Sequence, residues 1–460
     1  MSTQVTTIPG SKAGPMTEGR YPLVNLVRRR VDQLSQVEQR VFLFVIFIVA
    51  LVVRLAALLS MRQISALPGR QAGADGIEFE QLARALAEGR GYVRLNGTPT
   101  AFRAPGFPMF VSVIYRLTHI SVSAATLSFP LVGAGVCVVT YLLAREVVSE
   151  RVARLSALLG VLYFPAIYFS TVWFSEPLFM LSFGLSLWLF LIYFRRGSCG
   201  SRAVSYGALA GAGLLFSFSM LIRPFAILML PALLVLDFVH SRRRVLTMTV
   251  LLVCSLAPTS LWGVRNYRLF HAFVMGTTNG GSTFYGGNND TVLRVPEHMG
   301  GWVSTVRLPG RAEIVAAPNE YLHDQVEWRL GKEWVKTHLT SMPLLLIMKM
   351  VRFVLPDIDT PNKNFAILSF VTTFPFLLLG ILGIRKAADE SNHTVPWLVI
   401  RIGVAMSVLT ALAFWGSPRF RDAVAPLLFI YAGVGLDSLL GSGLNSFDSA
   451  ERLVPLTTKE

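Results

Sequence analysis

The chain has 460 residues, 53% of them hydrophobic and 15% charged, with a mean hydropathy of +0.54. That balance excludes an ordinary soluble globule: apolar runs of about seventeen or more residues recur, each long enough to cross a hydrocarbon core of about 30 Å as a helix. The formal net charge of +15 fits the basic cytoplasmic loops of a membrane protein, and no soluble basic domain exists to carry nucleic-acid binding.

Residues 1–40 are mostly polar and read as a cytoplasmic N-terminal tail, disordered in character. The first apolar run, 41–59, has no small-residue cleavage site after it and is expected to stay as a signal anchor. Arg54 interrupts it near one end, where the side chain is expected to snorkel or face a site. Basic clusters follow at Arg28-Arg29-Arg30, Arg145 to Arg154, Arg195-Arg196 with Arg202, Arg242-Arg243-Arg244, and Arg385-Lys386. With all five in the cytoplasm, spans fall at 41–59, 121–143, 152–170, 177–194, 203–222, 225–239, 245–263, 365–384, 395–415 and 422–440. The expected fold is therefore an all-α polytopic membrane protein with about ten transmembrane helices and both termini inside.

Two long segments land outside on this topology. The first outer loop, 60–120, belongs to an N-terminal transmembrane module, 41–263. Within it Ile77, Leu82, Ala85 and Leu86 repeat at helical spacing up to Gly89 and Gly91, and Met109 to Leu117 resumes as a second interfacial helix. The second outer loop, 264–364, lies between spans 7 and 8. It contains Met342 to Leu355, too short to span and suited to lying on the interface. C-terminal helices at 365–440 and a cytoplasmic tail at 441–460 complete the chain. Cys137 and Cys254 sit in apolar runs and Cys199 in a basic loop, so no disulfide and no metal-ligand spacing is expected.

The groups able to carry chemistry collect on the outer side. Asp75, in Gly73-Ala74-Asp75-Gly76, is either a helix N-cap or a general base for an acceptor hydroxyl. Glu78 and Glu80 follow on the helix and read as solvated. Arg103 precedes a turn stiffened by Pro105 and Pro108, a mount suited to a phosphate oxygen or to a lipid headgroup. Glu176 and Arg223 stand at outer ends of spans, where ionisable groups mark sites or cap helices. Arg265-Asn266 opens the second loop. Beyond it, Asn279-Gly280-Gly281 and Gly287-Asn288-Asn289 allow close backbone approach with amides that hold sugar hydroxyls, or form simple turns. Lys349 and Arg352 share one face of the interfacial helix, and Arg419 and Arg421 precede the last span. So many arginines need anions, and the anion at hand is a lipid phosphate.

The ordered landmarks add a resemblance. Asp75 stands ahead of an Ala-rich helix and Glu88-Gly89-Arg90-Gly91-Tyr92. Then come Arg103-Ala104-Pro105-Gly106-Phe107-Pro108, Ser175-Glu176-Pro177-Leu178, Arg223-Pro224, Trp262-Gly263-Val264-Arg265-Asn266-Tyr267, the two Gly/Asn clusters and Pro418-Arg419-Phe420-Arg421. From about residue 40 to 440 the chain resembles bacterial GT-C glycosyltransferases of the protein mannosyltransferase and aminoarabinose transferase kind (glycosyltransferase family 39-like). The resemblance implies a GT-C fold in the cytoplasmic membrane, with its active site on the extracytoplasmic side. It also implies a polyprenyl-phosphate-linked sugar donor and a lipid, glycan or protein acceptor.

Asp75 matches the family's catalytic acid, although the second acid that members often place beside it is Gly76 here. Inverting displacement would follow, with Asp75 as base. Arg103, Arg265, Arg419, Lys349 and Arg352 would hold the donor phosphate, and Glu176, Arg223, Asn266, Asn279 and Asn288 the substrate. Abundant arginine takes the place of a metal, so no cofactor is expected. Rival readings are a glycan polymerase or ligase using a lipid-diphosphate donor, and a polytopic transporter or flippase, which usually shows internal repeats absent here.

Overall fold

The apolar runs fold as helices, and among the described residues the single extended pairing is the isolated bridge between Val93 and Pro99. The computed structural model describes residues 33, 37–62, 68–197, 202–356, 363–389 and 394–441. Most of the tail 1–40 with its Arg28-Arg29-Arg30 cluster, nearly all of the tail 441–460, and Cys199 lie outside the described residues.

Helix α1 (Gln39–Ser60) leads into a first inter-span segment holding α2 (Pro68–Ala87) and α3 (Gly106–Leu117). There follow α4 (Val122–Ala144), α5 (Glu150–Leu162), α6 (Phe164–Phe169), α7 (Glu176–Gly197), α8 (Arg202–Ile222), α9 (Leu230–His240) and α10 (Arg244–Phe270). A second inter-span segment carries α11 (Gly280–Gly286), α12 (Asp290–Arg294), α13 (Arg311–Ala316), α14 (Glu320–Thr337) and α15 (Met342–Val354). The chain closes with α16 (Lys363–Asp389), α17 (Val395–Ala413), α18 (Pro418–Ala423) and α19 (Ala425–Leu439).

Seven helices, α1, α4, α7, α8, α10, α16 and α17, are long and apolar enough to cross a membrane, which makes this a multi-pass membrane protein. The other expected spans, 152–170, 225–239 and 422–440, appear as shorter pieces, and proline is the physical reason. Pro165, Pro231 and Pro426 each sit in the first turn of a new helix, where the missing N–H costs nothing but continuation from the preceding helix is blocked. Tyr163, between α5 and α6, is accordingly extended, with φ −74° and ψ 105°.

One apolar core, including Phe129, Tyr141, Trp173, Phe179 and Phe183, joins α1, α4, α5, α7 and α8. Arg54 neither snorkels nor faces a site. It is wholly buried, donating to Ser170 Oγ at 3.3 Å and to the carbonyls of Ala50 and Gly160 at 3.2 Å each. A charge in the bundle is retained only when its donors are taken up, and here they tie α1 to α5. A buried ion pair, Arg151 to Asp437 at 2.7 Å, ties α5 to α19 in the same manner.

Between α16 and α19 the backbones meet directly. A Cβ at Gly383 would overlap the Tyr431 carbonyl, and one at Gly435 the Leu379 carbonyl. Small residues permit such contact between membrane helices, where packing replaces the hydrophobic drive. Gly383→Leu is expected to destabilise the protein by about 1–3 kcal/mol or more through overpacking, read as a lowered Tm in detergent. An unchanged Tm would show that the contact is not tight.

In the first segment, the structure corrects the reading of Asp75. Helix α2 starts at Pro68, seven residues earlier in the chain, so Asp75 lies inside the helix and cannot be its N-cap. Gly73, with φ +57°, takes a left-handed conformation just before it. Helices α2 and α3 are locked by Phe79 on Phe107, edge to face at 5.0 Å. Gly106 presses α3 against Leu221 and Ile222 at the end of α8, closely enough that a Cβ would lie 2.7 Å from Ile222 Cγ1. That contact brings the arginine turn of the first segment to the junction at Arg223.

Candidate active site

Asp75 lies within a chain of alternating charges drawn from five parts of the sequence. Its Oδ1 accepts from Arg103 Nη2 at 2.7 Å and its Oδ2 from Arg419 Nη1 at 3.0 Å. Arg419 Nε donates to Glu176 Oε1 at 2.6 Å, and Arg223 Nη2 reaches the same oxygen at 2.6 Å. At the other end Arg103 Nε pairs with Glu78. Glu78 is therefore no free solvated acid but a partner of Arg103, one helical turn from Asp75 on the same face of α2.

Local structure explains each placement. Glu176 is the first residue of α7, where the helix N-terminus favours a carboxylate, and it is completely buried. Arg419 is the second residue of the short α18, whose N-cap Ser417 accepts from the Arg419 backbone N–H at 3.2 Å, and its guanidinium lies 4.4 Å over the Phe174 ring. Arg103 is mounted by the turn. Tyr92 donates its hydroxyl to the Arg103 carbonyl at 2.9 Å, and the Phe79 and Phe102 rings flank the guanidinium.

Burial pushes the Asp75 carboxyl upward, but the guanidinium groups of Arg419 and Arg103 outweigh it and hold the pKa below the usual carboxylate value of 3.8. Arg419 in turn is held above its ordinary value: burial opposes the charge, and Glu176 with Asp75 overcomes it. Two buried polar atoms in the network have no protein partner, Glu176 Oε2 and Arg223 Nε. Buried polar groups are normally paired, so spare bonding capacity sits beside Asp75. Among the described residues no three His, Cys, Asp or Glu side chains gather as a metal site.

Of the residues proposed from the sequence for catalysis or binding, Asp75, Arg103, Glu176, Arg223 and Arg419 come together, joined by Glu78, and the rest do not. Arg265 donates to the Thr100 carbonyl at 2.6 Å and the Tyr92 carbonyl at 2.8 Å, which fixes the turn carrying Arg103 from behind. Asn266 is fully buried and donates to the Val274 carbonyl at 2.8 Å. Asn279 accepts from Thr277 at 2.8 Å. Asn288 is buried, accepting from Lys349 Nζ at 2.8 Å and donating to the Phe284 and Ala413 carbonyls. Arg352 donates to the carbonyls of Met299 and Glu297 at 2.6 Å each. Arg421 is buried against Asp422 and Tyr163 and donates to the last carbonyls of α15, a charge placed where a helix C-terminus favours it.

Lys349 is fully buried, with its ammonium taken by Asn288 and by the Leu412 carbonyl at 3.0 Å, so it is spent inside the fold. Burial drops its pKa from 10.5 to about 7. The unfolded chain then binds the proton more tightly than the folded one. Stability is greatest above pH 10.5, falls as pH drops toward about 7, and is flat below. That slope is expected to vanish in Lys349→Met, measured as Tm against pH in detergent.

Sequence reasoning missed Glu320 altogether. As the first residue of α14 it accepts from Arg94 at 2.8 Å, Thr100 Oγ1 at 2.7 Å, the Ala101 N–H at 2.5 Å and Thr278 Oγ1 at 2.7 Å. The sequence shows only an acid after the N-cap Asn319, and nothing in it announces a reach across more than two hundred residues to the first segment. Beside this clasp an open cleft of about 260 Å³ runs between α2 and the turn, with Glu78 and Arg103 at its margin.

The structure resembles the archaeal oligosaccharyltransferase AglB from Archaeoglobus fulgidus solved with an inhibitory peptide and a dolichol-phosphate. The TM-score is 0.51 at 13% identity, covering 92% of this chain and 53% of that one. The Archaeoglobus fulgidus oligosaccharyltransferase tethered to an acceptor peptide containing the NVT sequon gives TM-score 0.51 at 15% identity, covering 90% and 53%. Its apo form gives 0.50 at 13%, covering 90% and 54%. The chain thus spans about half the length of the solved structures it matches. No family model and no curated protein matches the sequence. At this identity the likeness establishes the fold, which is all-α, polytopic and of the GT-C type.

Proposed function

We propose that the protein is a membrane glycosyltransferase that moves a sugar from a polyprenyl-phosphate donor to an acceptor hydroxyl on the extracytoplasmic face, with inversion. The observation that carries this reading is Asp75 gripped between Arg103 and Arg419 outside the spanning helices. A carboxylate flanked by two guanidinium forks is a base and an anion site in one place. The fold shared with proteins solved with a dolichol-phosphate and an acceptor peptide supports a lipid-linked donor.

In the resting network the arginines are occupied by carboxylates. A donor phosphate competes for Arg103, Arg419 and Arg223, and as Arg103 or Arg419 turns toward it the hold on Asp75 loosens. The carboxylate then recovers basicity as the substrate arrives. In the transfer step the acceptor oxygen forms a bond to the anomeric carbon, and the bond from that carbon to the phosphate oxygen breaks with its electron pair. The acceptor proton passes to Asp75, and the arginines stabilise charge growing on the leaving phosphate. This chemistry runs on the chain's own side chains and calls on no cofactor.

Membranes containing the protein are expected to convert polyprenyl-phosphate sugars into glycosyl product and free polyprenyl phosphate. Consumption of lipid-diphosphate donors alone would instead establish the polymerase or ligase reading, which uses the same arginine chemistry. Movement of solute without any glycosyl product would establish a transporter. For the sidedness, a periplasm-sensitive reporter fused after residue 310 is expected to signal outside, and a cytoplasmic signal overturns the topology.

A further inference from the structure

Arg103 has two sides. Toward one it meets Asp75 and, through Arg419, the Glu176 and Arg223 groups suited to a donor phosphate. Toward the other it meets Glu78 and forms the margin of the cleft between α2 and the turn. None of Asp75, Glu176, Arg223 or Arg419 lines that cleft. The cleft therefore joins the network at Glu78 and Arg103, and Asp75, bonded to Arg103 and one helical turn from Glu78, stands between those two residues and the donor-side Arg419. We propose that this cleft is the acceptor subsite and that the acceptor it takes is a carbohydrate chain end, bound through the amides of Gln81 and Asn96. The proposal rests on the transferase reading above.

The chemistry of the lining selects the class. Its charges are already paired off: Arg94 with Glu320 at 2.8 Å, and Arg103 with Glu78 and Asp75. In the transfer reading Arg103 is claimed by the donor phosphate and Arg94 is held by Glu320, so neither cation is left over for an anionic acceptor. What remains available is neutral. Gln81 makes no side-chain hydrogen bond among the described residues, and Asn96 uses only its Oδ1, to the Thr98 N–H at 3.1 Å, leaving its amide donor free. Side-chain amides that both donate and accept match the alternating hydroxyls of a sugar. Leu82, Leu95 and Phe102 give a small apolar face, too little for a lipid chain. At about 260 Å³ the cleft is below the usual range for drug-sized ligands. It suits one terminal unit of a longer polymer that trails into solvent.

The wall of the cleft is fixed before any ligand arrives. Glu320 fastens Arg94, Thr100 and Ala101, Thr278 N–H donates to the Ala101 carbonyl at 3.0 Å, and Arg265 holds the Thr100 and Tyr92 carbonyls. The second inter-span segment thus shapes a subsite in the first, and little ordering is left to be done on binding.

The test uses the full chain reconstituted in liposomes with polyprenyl-phosphate sugar donors. The acceptor probes are methyl glycosides of hexoses and pentoses, with a Ser/Thr-containing peptide as the competing arm. Transfer to at least one glycoside is expected, and Gln81→Ala and Asn96→Ala are each expected to raise its KM about fivefold, the loss of a hydrogen bond of roughly 1 kcal/mol. The donor KM is expected to move less. Saturation-transfer NMR of the glycoside on the protein without donor reads the same subsite independently, and both variants are expected to weaken the signal. Wild type that consumes donor but glycosylates only the peptide overturns the carbohydrate subsite alone, as does glycoside transfer indifferent to both variants. Wild type that consumes no polyprenyl-phosphate donor overturns the transferase reading, and the subsite with it.

Discussion

Asp75→Asn is expected to lower sugar transfer by about 10²- to 10⁴-fold, the usual contribution of a positioned general base, in a protein that still inserts and folds. Asparagine keeps the size and one acceptor oxygen but cannot take the acceptor proton. It also leaves Arg103 and Arg419 without their shared counter-charge, so the two guanidinium groups become freer to hold a phosphate. The loss is therefore expected in kcat, with donor KM unchanged or lower. That split separates a chemical role from a structural one, because a disordered site loses donor affinity as well. Transfer in the variant within a fewfold of wild type would end the assignment of Asp75 as base. Stability carries a second signature. Since the folded-state pKa of Asp75 lies below the unfolded value of 3.8, its contribution is present above that pH and lost as pH falls through the lower, folded value. In Asp75→Asn that acid-dependent loss is expected to disappear.

Arg419→Gln is expected to reduce kcat by about 10²- to 10³-fold, the loss typical when a donor that stabilises developing charge is removed. It is also expected to shift the acid limb of the pH–rate profile upward. The sign follows from the network: Arg419 is the strongest influence lowering the Asp75 pKa, so its removal lets burial raise that pKa. The base is then protonated at a higher pH, and activity is lost earlier as pH falls. Arg419→Lys keeps the charge but not the fork, and is expected to restore the position of the limb more fully than kcat, because a point charge cannot bridge Asp75 and Glu176 as a guanidinium does. A limb that does not move in Arg419→Gln would break the link between Arg419 and Asp75. Glu176, wholly buried and left with Arg223 alone, is expected to lower the Tm of the same variant.

How much of this was legible beforehand follows from what each signal measures. Long apolar runs report transfer into lipid residue by residue, so α1, α4, α7, α8, α10, α16 and α17 were readable one at a time. Proline breaks were harder to read: Pro165 lies in an apolar run that hydropathy averages over, although its effect on the backbone is local. The start of α2 was misplaced because Gly73 and Gly76 look like a helix boundary around Asp75, whereas the helix runs through them. Among the site residues, Glu176 and Arg223 were flagged because an ionisable group at a lipid boundary is costly wherever it sits, Arg103 because its turn is stiffened by Pro105 and Pro108, and Arg419 as one of the cations at the start of the last span. The same reasoning could not tell them from Lys349 and Arg265, which carry the same cost but serve as internal braces.

The sequence by itself determined the helical class, the membrane setting and the set of expensive charges, because hydrophobic burial and desolvation act on each residue where it stands. Only the tertiary structure decided which of those charges share a site. The alternating line from Glu78 to Arg223 joins residues as far apart in the chain as Asp75 and Arg419. Coulombic attraction depends on distances in space that helix packing sets, here through Gly106 against α8, α18 packed on α17 and α7, and Glu320 reaching back to the first segment.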